Sequence, residues 1–566
     1  MIDLPSDKRK LLKVALDLVE ACSSSRGNRA AYCRQINAMV ETGRQDGSRS
    51  LINMLHFHLD RLASHIFSPT DLRFTIDFEN VYPKNILERG EVAAQILTRS
   101  WERNNIDMTF ARGVFESAKY GAALLKQWVQ MEGPEEAPVY YKRLVMPWQF
   151  GVYREDENEL SKQSAMCETV YLTWPEAWRR IYHLPDADKL FNKIKAQSAT
   201  SQSNDEPSSF FHQVLSTSTL NTGPQSTPQP GGIVQLNNDP NYAIVGPQVD
   251  VPMVKMHELW VQDEEDYTTI QLIEPDILIA PLYKKANLLI PGAMHSGLHP
   301  YTLIQMNETS GYFWGRTEIA DLIEPQGLLS TWADDTRRLF SLQIDKILGF
   351  SGYDGLTEDV YDNMRGAGFF SGPQGSSVAD LTPTFPPESL TMLQKLQDTI
   401  NSLGGFQDVM QGKGESGVRA GVHANTLLKT GSAMHRDRSL LVERQCAAAA
   451  DLHLSIMEAK DSRNYWTHGD KLEDVENTKF LLSDLPEDRR VSVDSHSSSP
   501  IFADDHQQLV AFGIKAGFID GHTAIDMLPL PMKELLHARL RDKEAKQAKL
   551  IQEHPELLAK MAKGHK

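Results

Sequence analysis

A run of four carboxylates, Asp263-Glu264-Glu265-Asp266, is the densest group of side chains in the sequence that could do chemistry. Paired carboxylates are the ligands of the two-metal sites that cleave nucleic acids. The run lies between two strand-like segments, residues 254–262 and 268–273, a position typical of the exposed tip of a β-hairpin. We therefore predict a solvated turn. A metal-dependent nucleic-acid-processing enzyme that uses Asp263 and Glu265 is the alternative.

A second group, His56, His58 and His65, lies in a run with helical spacing. His56 and His58 point about 200° apart on a helix, so they are unable to bind the same ion. His58 and His65 share a face, but two ligands without a near carboxylate are a weak pattern for a metal. We predict ordinary histidines on the surface of a helix and no metal site.

Motifs that carry chemistry are missing from the sequence. It has no GxxxxGK[ST] loop, no GxGxxG after a strand, no GxSxG elbow and no HExxH. The four cysteines, Cys22, Cys33, Cys167 and Cys446, are scattered and form no CxxC pair, so neither a zinc site nor a disulfide framework is expected. We predict no catalytic residue and no cofactor, and therefore a protein that is not an enzyme.

The charge of the chain is acidic, with 58 Lys and Arg against 75 Asp and Glu and a net charge of −17. Proteins that grip nucleic acid over a broad face are usually basic, so this balance argues against such a face. The acidic balance is compatible with a protein that lets DNA slide past its surface. The hydrophobic fraction of 41% is enough for a real core. No uncharged apolar run reaches the roughly 18 residues of a membrane span, so we expect a soluble protein that binds no membrane.

The periodicity of the sequence predicts an α+β fold that is mainly α. Helices are expected over residues 6–43, 48–67, 85–104 and 106–131, with a strand at 74–78. Short strand patterns follow between 139 and 305, with one helix at 174–197 and a polar, low-complexity insertion at 198–232. Near the C-terminus, residues 491–494 have the pattern of a short strand.

The stretch from Gly315 to Lys460 has the strongest pattern. It predicts a helix, a break rich in glycine and proline, a second helix at 390–403, a glycine-rich turn and a helix from about 419 to 460. The last helix would be roughly 60 Å long. A helix of that length needs a long partner surface, which repeated copies of the chain around a ring would supply. Leu393 and Ile400 of the second helix are expected to be covered by such a neighbour.

This order of elements, together with Gly315-Arg316-Thr317 at its start, resembles the portal proteins of bacteriophages, the head-to-tail connectors, in a podovirus-like form. The resemblance implies the following regions: 1–135, the helical part of the wing; 136–316, a β-rich wing subdomain with the insertion 198–232; 317–346, the first stem helix; 347–386, the clip; 387–403, the second stem helix; 404–419, the tunnel loop; 420–460, a long wing helix; and 461–566, the crown and C-terminal tail.

The resemblance also implies a function. Such proteins form rings, typically of twelve copies, at one capsid vertex of the virion, and assemble in the host cytoplasm. The ring is a channel for double-stranded DNA during packaging and ejection. It docks the terminase large subunit, later the head-tail adaptor and tail proteins, and contacts the major capsid or scaffolding protein. Another structural virion protein, such as a minor capsid or tail component, is a further alternative.

The residues that would contact DNA follow from this assignment. Basic side chains in the stem helices are expected to make transient phosphate contacts. They are Arg337, Arg338, Lys346 and Lys395. The tunnel loop would add a flexible segment, because its glycines permit several backbone conformations. Its residues are Gly412, Lys413, Gly414, Glu415, Ser416, Gly417 and Arg419.

Overall fold

The structure is a computed structural model, and it describes the chain from residue 5 to 466, from 479 to 493, and at a few positions between 510 and 543. Within the first range, the residues outside the description are 6, 25, 45–48, 70–71, 133–136, 201–252, 264–265, 275, 280–298, 345–347, 353–373, 385, 387 and 406–432. The described part combines helices and sheets, which confirms an α+β fold.

The helices of the described part lie mostly before residue 200 and after residue 320. They are α1 (Lys8–Ser23), α2 (Arg26–Thr42), α3 (Leu55–Ile66), α4 (Lys84–Arg103), α5 (Ile106–Tyr120), α6 (Trp174–Ile181), α7 (Ala187–Thr200), α8 (Ile323–Ile344), α9 (Glu388–Leu403) and α10 (Ala433–Lys460). The helix predicted at 174–197 is therefore two helices, and the one predicted at 48–67 begins only at Leu55.

The strands of the described residues form five antiparallel sheets. They are β1 (Phe74–Phe78), β2 (Ala123–Glu132), β3 (Ala137–Val145), β4 (Phe150–Val152), β5 (Ala165–Thr173), β6 (Met253–Asp263), β7 (Asp266–Ile273), β8 (Ile277–Leu278), β9 (Tyr301–Ile304), β10 (Leu348–Ser351), β11 (Ser377–Asp380), β12 (Tyr465–Trp466), β13 (Lys479–Phe480) and β14 (Arg489–Val493). The largest has the order β4-β5-β6-β7-β8, and a second has the order β3-β2-β9; β1-β14, β10-β11 and β12-β13 are two-stranded.

One helix prediction was wrong. The run predicted as a helix over 106–131 ends at Tyr120, and β2 begins at Ala123. Gly121 makes the turn with a φ of +96°, a conformation that side chains with a Cβ rarely adopt. The small apolar residues of this stretch pack between sheet strands as well as against helices, so their helical spacing misled the prediction. The boundary expected at residue 135 falls between β2 and β3.

The core joins the N-terminal helices to the long C-terminal helix. Leu59 of α3, Phe110 of α5 and Cys446 of α10 are all buried in one hydrophobic cluster. The same cluster contains Leu396 and Ile400 of α9. Within the described residues, α10 spans 28 residues, about 42 Å, and the predicted segment before it lies outside the description. None of the helices described is long and apolar enough to cross a membrane.

A buried charge cluster lies between the two larger sheets. Lys126 Nζ on β2 lies 2.8 Å from both Glu168 Oε2 on β5 and Glu258 Oε1 on β6. Tyr301 donates a hydrogen bond of 2.7 Å to Glu168, and Arg143 pairs with the same carboxylate. Burial lowers the pKa of Lys126. The positive groups come from one sheet and the carboxylates from the other, so the cluster fixes how the sheets face each other.

Replacing Lys126 with methionine is expected to lower the free energy of unfolding by about 3–5 kcal/mol, because it leaves buried carboxylates without their main partner. Urea denaturation followed by circular dichroism measures the loss. Lys162→Met is the matched control. Lys162 pairs with Glu159 at an exposed position, so its loss should cost less than about 1 kcal/mol. Equal losses in the two variants would contradict a structural role for the cluster.

Candidate functional site

Two helices and a two-stranded sheet pack together in a segment called here the arm, which comprises the described residues within 323–403. Helix α8 leads outward, β10 pairs with β11 from Leu348↔Asp380 to Ser351↔Ser377, and α9 returns along α8. Gln343 near the end of α8 donates a hydrogen bond to the carbonyl of Pro383, shortly before α9. The arrangement matches the helix, break and returning helix expected from the sequence.

The inner end of the arm is fixed to the rest of the chain. Gln326 Nε2 donates to the carbonyl of Ile52 at 2.7 Å, and Ser330 Oγ donates to that of Gly43 at 3.0 Å. One turn further on, Asp334 pairs with Arg44. This carboxylate therefore contacts a distant part of the chain and not the neighbouring Arg337 or Arg338.

The outer part of the arm has almost no core. No described side chain of α8 beyond Thr336 is buried, and the only buried side chain in the first half of α9 is Ser389. Two packed helices alone bury little apolar surface, and helices of ordinary sequence depend on tertiary packing for stability. The outer arm therefore lacks, within the described chain, the partner surface that its length calls for.

Large apolar side chains are exposed on the arm. Leu328 and Trp332 lie one turn apart on α8 and are 52% and 37% exposed. They lie about 100° around the helix from Leu329 and Ala333, which are buried in the chain's own core. Leu390 at the start of α9 is 52% exposed. Leu328 and Trp332 therefore form an apolar surface beside the side of α8 that packs against its own chain.

Gly315-Arg316-Thr317 anchors the segment that leads into the arm. Thr317 Oγ1 donates to the carbonyls of Ala118 and Lys119 at 3.1 and 2.7 Å, at the C-terminal end of α5. Gly315 has a φ of +64°, and a Cβ there would lie 2.7 Å from the carbonyl oxygen of Asn307. The glycine thus permits both the backbone conformation and the close approach, and the threonine holds the chain in place.

Replacing Gly315 with alanine is expected to destabilise the protein by several kcal/mol, because strain at positive φ adds to a clash with backbone atoms. Gly311→Ala is a close control. Gly311 also has a positive φ, +73°, but nothing lies within 4 Å of the point that its Cβ would occupy, so only the conformational cost of about 1–2 kcal/mol applies. Thermal unfolding of the two variants compares these costs. Equal effects would show that the close approach is unimportant.

The basic residues predicted in the stem lie on this arm. Arg337 and Arg338 on α8 and Lys395 on α9 are exposed, and none of the three forms an ion pair with a described residue. The side chain of Lys346 lies outside the described residues. The structure therefore brings three of the four predicted cations to one arm and leaves their charges open to an anion.

All seven residues predicted for the tunnel loop lie outside the described residues. The described chain stops at Gly405 and resumes at Ala433. At the point where it stops, Gly404 lies directly against the ring of His58, so a Cβ there would overlap that ring. Burial, helped by the nearby His435, Arg61 and Arg438, lowers the pKa of His58 to about 4.

The structure gives other roles to the acidic and histidine residues that were considered for metal binding. Asp263 pairs with Asp266 at the end of strands β6 and β7, as the predicted hairpin requires, and Glu264 and Glu265 lie outside the described residues. His58 is buried, so the prediction of a surface histidine was wrong there, while His56 is exposed and lies 3.4 Å from Asp60. Among the described residues no three His, Cys, Asp or Glu side chains are placed to hold a metal ion.

Comparison with known proteins finds no protein-family model and no curated protein that matches the chain.

Several side chains that organise the site were not predicted from any pattern in the sequence. Arg29 is buried between the β-rich part and the entry to the arm: it donates to the carbonyl of Phe150 at 2.9 Å, pairs with Glu155, and lies 4.1 Å from the ring of Trp314. Trp314 in turn donates to Glu155 at 3.0 Å. A buried arginine is hard to predict, because its partners are more than 100 residues away in sequence.

Proposed function

We propose that the chain is a portal protein, a ring-forming conduit at one vertex of a viral capsid through which double-stranded DNA is packaged and ejected. The observation that carries the proposal is the arm at residues 323–403. Its described residues have the order helix, strand pair, helix, it is anchored at one end, and the described outer part has almost no core of its own. These features support a role in which identical neighbours complete the packing.

A ring would cover the exposed apolar surface of the arm better than a closed dimer would. The arm's packed side meets its own chain, and the exposed Leu328 and Trp332 lie on another side. A neighbour placed by rotation would cover this apolar surface with a different part of its own surface. Such heterologous contacts close on themselves when the rotation divides a full turn, which gives a ring with a central hole.

The charge of the chain suits a channel. Twelve copies at −17 each give about −200 before counterions screen it. A wall that mainly repels phosphate lets DNA move, while a few cations make short-lived contacts whose strength depends on salt. Arg337, Arg338 and Lys395, exposed and unpaired among the described residues, are the proposed contacts. Lys346 and the loop residues 412–417 and 419 complete the set proposed from the sequence.

The remaining partners follow from the same proposal. The β10–β11 strand pair of the arm would form part of the clip that docks the terminase large subunit, and later the adaptor and tail proteins. Leu381, just beyond β11, is 63% exposed and offers an apolar contact there. The body outside the arm would meet the major capsid or scaffolding protein. The site performs no bond chemistry in this proposal and needs no cofactor.

Electron microscopy of the purified full-length protein tests the proposal, together with mass measurement in solution. We expect closed rings with a central hole wide enough for duplex DNA, about 20 Å or more. The mass should be a multiple of 63.6 kDa, near 760 kDa for twelve copies. A protein that stays monomeric under every assembly condition, at high concentration and with magnesium or crowding agents, would overturn the proposal.

A further inference from the structure

A groove of about 370 Å³ lies between the long helix α10 and the C-terminal strand β14. Its strand wall is formed by Arg489–Val493. Its helix wall is a stripe of side chains on successive turns, Leu440, Arg444, Ala447, Ala448 and Asp451. The two alanines leave room over the middle of the helix, and this is where the groove lies.

The strand wall has an edge that pairs with no other described strand, called here the free edge. Strand β14 pairs with β1 on one side, from Phe74↔Val493 to Phe78↔Arg489, and this sheet has no third strand in the described residues. No other backbone hydrogen bond joins residues 490–493 to a described segment. A strand edge presents a row of N–H and C=O groups that readily pairs with another extended segment.

The two faces of β14 differ, and this difference would select the side chains of an added strand. Val491 is buried on the face toward α10, whereas Arg490 is exposed on the opposite face. Successive residues of a strand alternate between faces. An added strand would therefore direct every second side chain toward Ala447 and Ala448, where small or medium apolar groups fit, and the others toward Arg490.

The exposed charges at the rim of the groove are positive. Arg444 stands on the helix wall and Arg490 on the strand wall; both are exposed, and neither forms an ion pair with a described residue. The acidic residues of the lining, Glu443 and Asp451, have partners already. A basic rim on a chain with a net charge of −17 favours an acidic occupant, because opposite charges facing each other across paired strands attract.

We propose that this groove binds an extended segment of a separate partner protein, in which apolar and acidic residues alternate, as a third strand on the free edge of β14. Its backbone pairs with residues 490–493, its apolar side chains lie over Ala447 and Ala448, and an acidic side chain lies opposite Arg490. The four paired residues, 490–493 of β14, span about 14 Å. The proposal stands whether or not the chain forms rings.

Binding of a labelled eight-residue peptide of alternating valine and glutamate to the full-length protein tests the proposal by fluorescence polarisation. We expect saturable binding. A peptide with lysine in place of glutamate should bind at least about tenfold more weakly, and so should one N-methylated on the residues that pair with β14. Arg490→Glu should weaken binding of the glutamate peptide about tenfold and restore binding of the lysine peptide.

Arg103→Glu is the matched control, since Arg103 is an exposed arginine at the end of α4, outside the groove. It should leave both affinities unchanged, and the melting temperature of each variant establishes that it is folded. Equal binding of the two peptides, or an unchanged affinity in Arg490→Glu, would overturn the proposal. The proposal would also be overturned if the groove bound the peptide only after copies of the chain had been separated, because the natural occupant of the groove would then be a second copy.

Discussion

Replacing Leu328 and Trp332 together with glutamate will leave a folded subunit that forms no rings. Both side chains are at least partly exposed in the single chain, at 52% and 37%, and neither belongs to its buried core, so the subunit should keep its fold. In the proposed ring the same side chains would be buried against a neighbour. A buried charge without a partner costs several kcal/mol, and this cost recurs at every interface around the ring. Sedimentation and electron microscopy measure assembly, and circular dichroism measures folding.

Val81→Glu is the control for this experiment. Val81 is a fully exposed apolar residue that precedes α4, far from the arm in sequence, and the same chemical change there should leave assembly intact. Rings of normal size from the Leu328/Trp332 variant would show that this surface of α8 is not an interface. Loss of folding in that variant would contradict the assignment of these residues to the outside of the subunit.

Ile400 marks a correction to the interpretation of the second stem helix. The sequence placed Leu393 and Ile400 on a ridge that a neighbour completes. In the structure Ile400 is 1% exposed in the chain's own core, and Leu393 is partly buried against the same core. Ile400→Asp is therefore expected to unfold the subunit rather than release it from a ring. Helical spacing identifies an apolar face, but it does not tell which chain covers that face.

Local patterns predicted the elements of the arm well and long-range pairings poorly. The helix before the break and the helix at 388–403 follow from apolar spacing and from the glycines and prolines between them. Strand 74–78 was also predicted, yet its partner is β14, more than 400 residues later. Pairing of that kind depends on tertiary contacts that no window of sequence contains. The cluster around Lys126 and the contacts of Arg29 were not predicted for the same reason, because their partners are far apart in the sequence.

Three buried histidines are expected to make the subunit labile to acid. His58, His435 and His453 are 6%, 0% and 1% exposed. Burial lowers the pKa of His58 and of His435 to about 4 and that of His453 to about 3. Positive neighbours add to the effect at the first two, where each faces Arg438. His453 lies 3.0 Å from the hydroxyl of Ser100 and packs against Trp101.

The sign of the pH effect follows from these lowered values. In the unfolded chain each histidine binds a proton below about pH 6.5, while the folded chain excludes it until about pH 4 or lower. Stability is therefore full above pH 6.5 and falls as the pH drops through this window. At pH 5 each site costs about 2 kcal/mol, or about 6 kcal/mol for the three if they act independently. His58 and His435 interact, so their joint effect will depart from simple addition.

Urea denaturation of unassembled subunits between pH 7.5 and 4.5 measures this loss, since ring formation would add its own pH dependence. The slope of the unfolding free energy against pH reports how many protons the chain takes up when it unfolds. His453→Gln should lower that number by nearly one, because glutamine keeps a hydrogen-bonding group near Ser100 but does not titrate. His183→Gln, at an exposed position after α6, should leave the slope unchanged. A stability that stays constant from pH 6.5 to 4.5 would mean that these imidazoles accept protons in the folded state. Equal slopes in the two variants would mean that the packing around His453 is more open to water than its 1% exposure indicates.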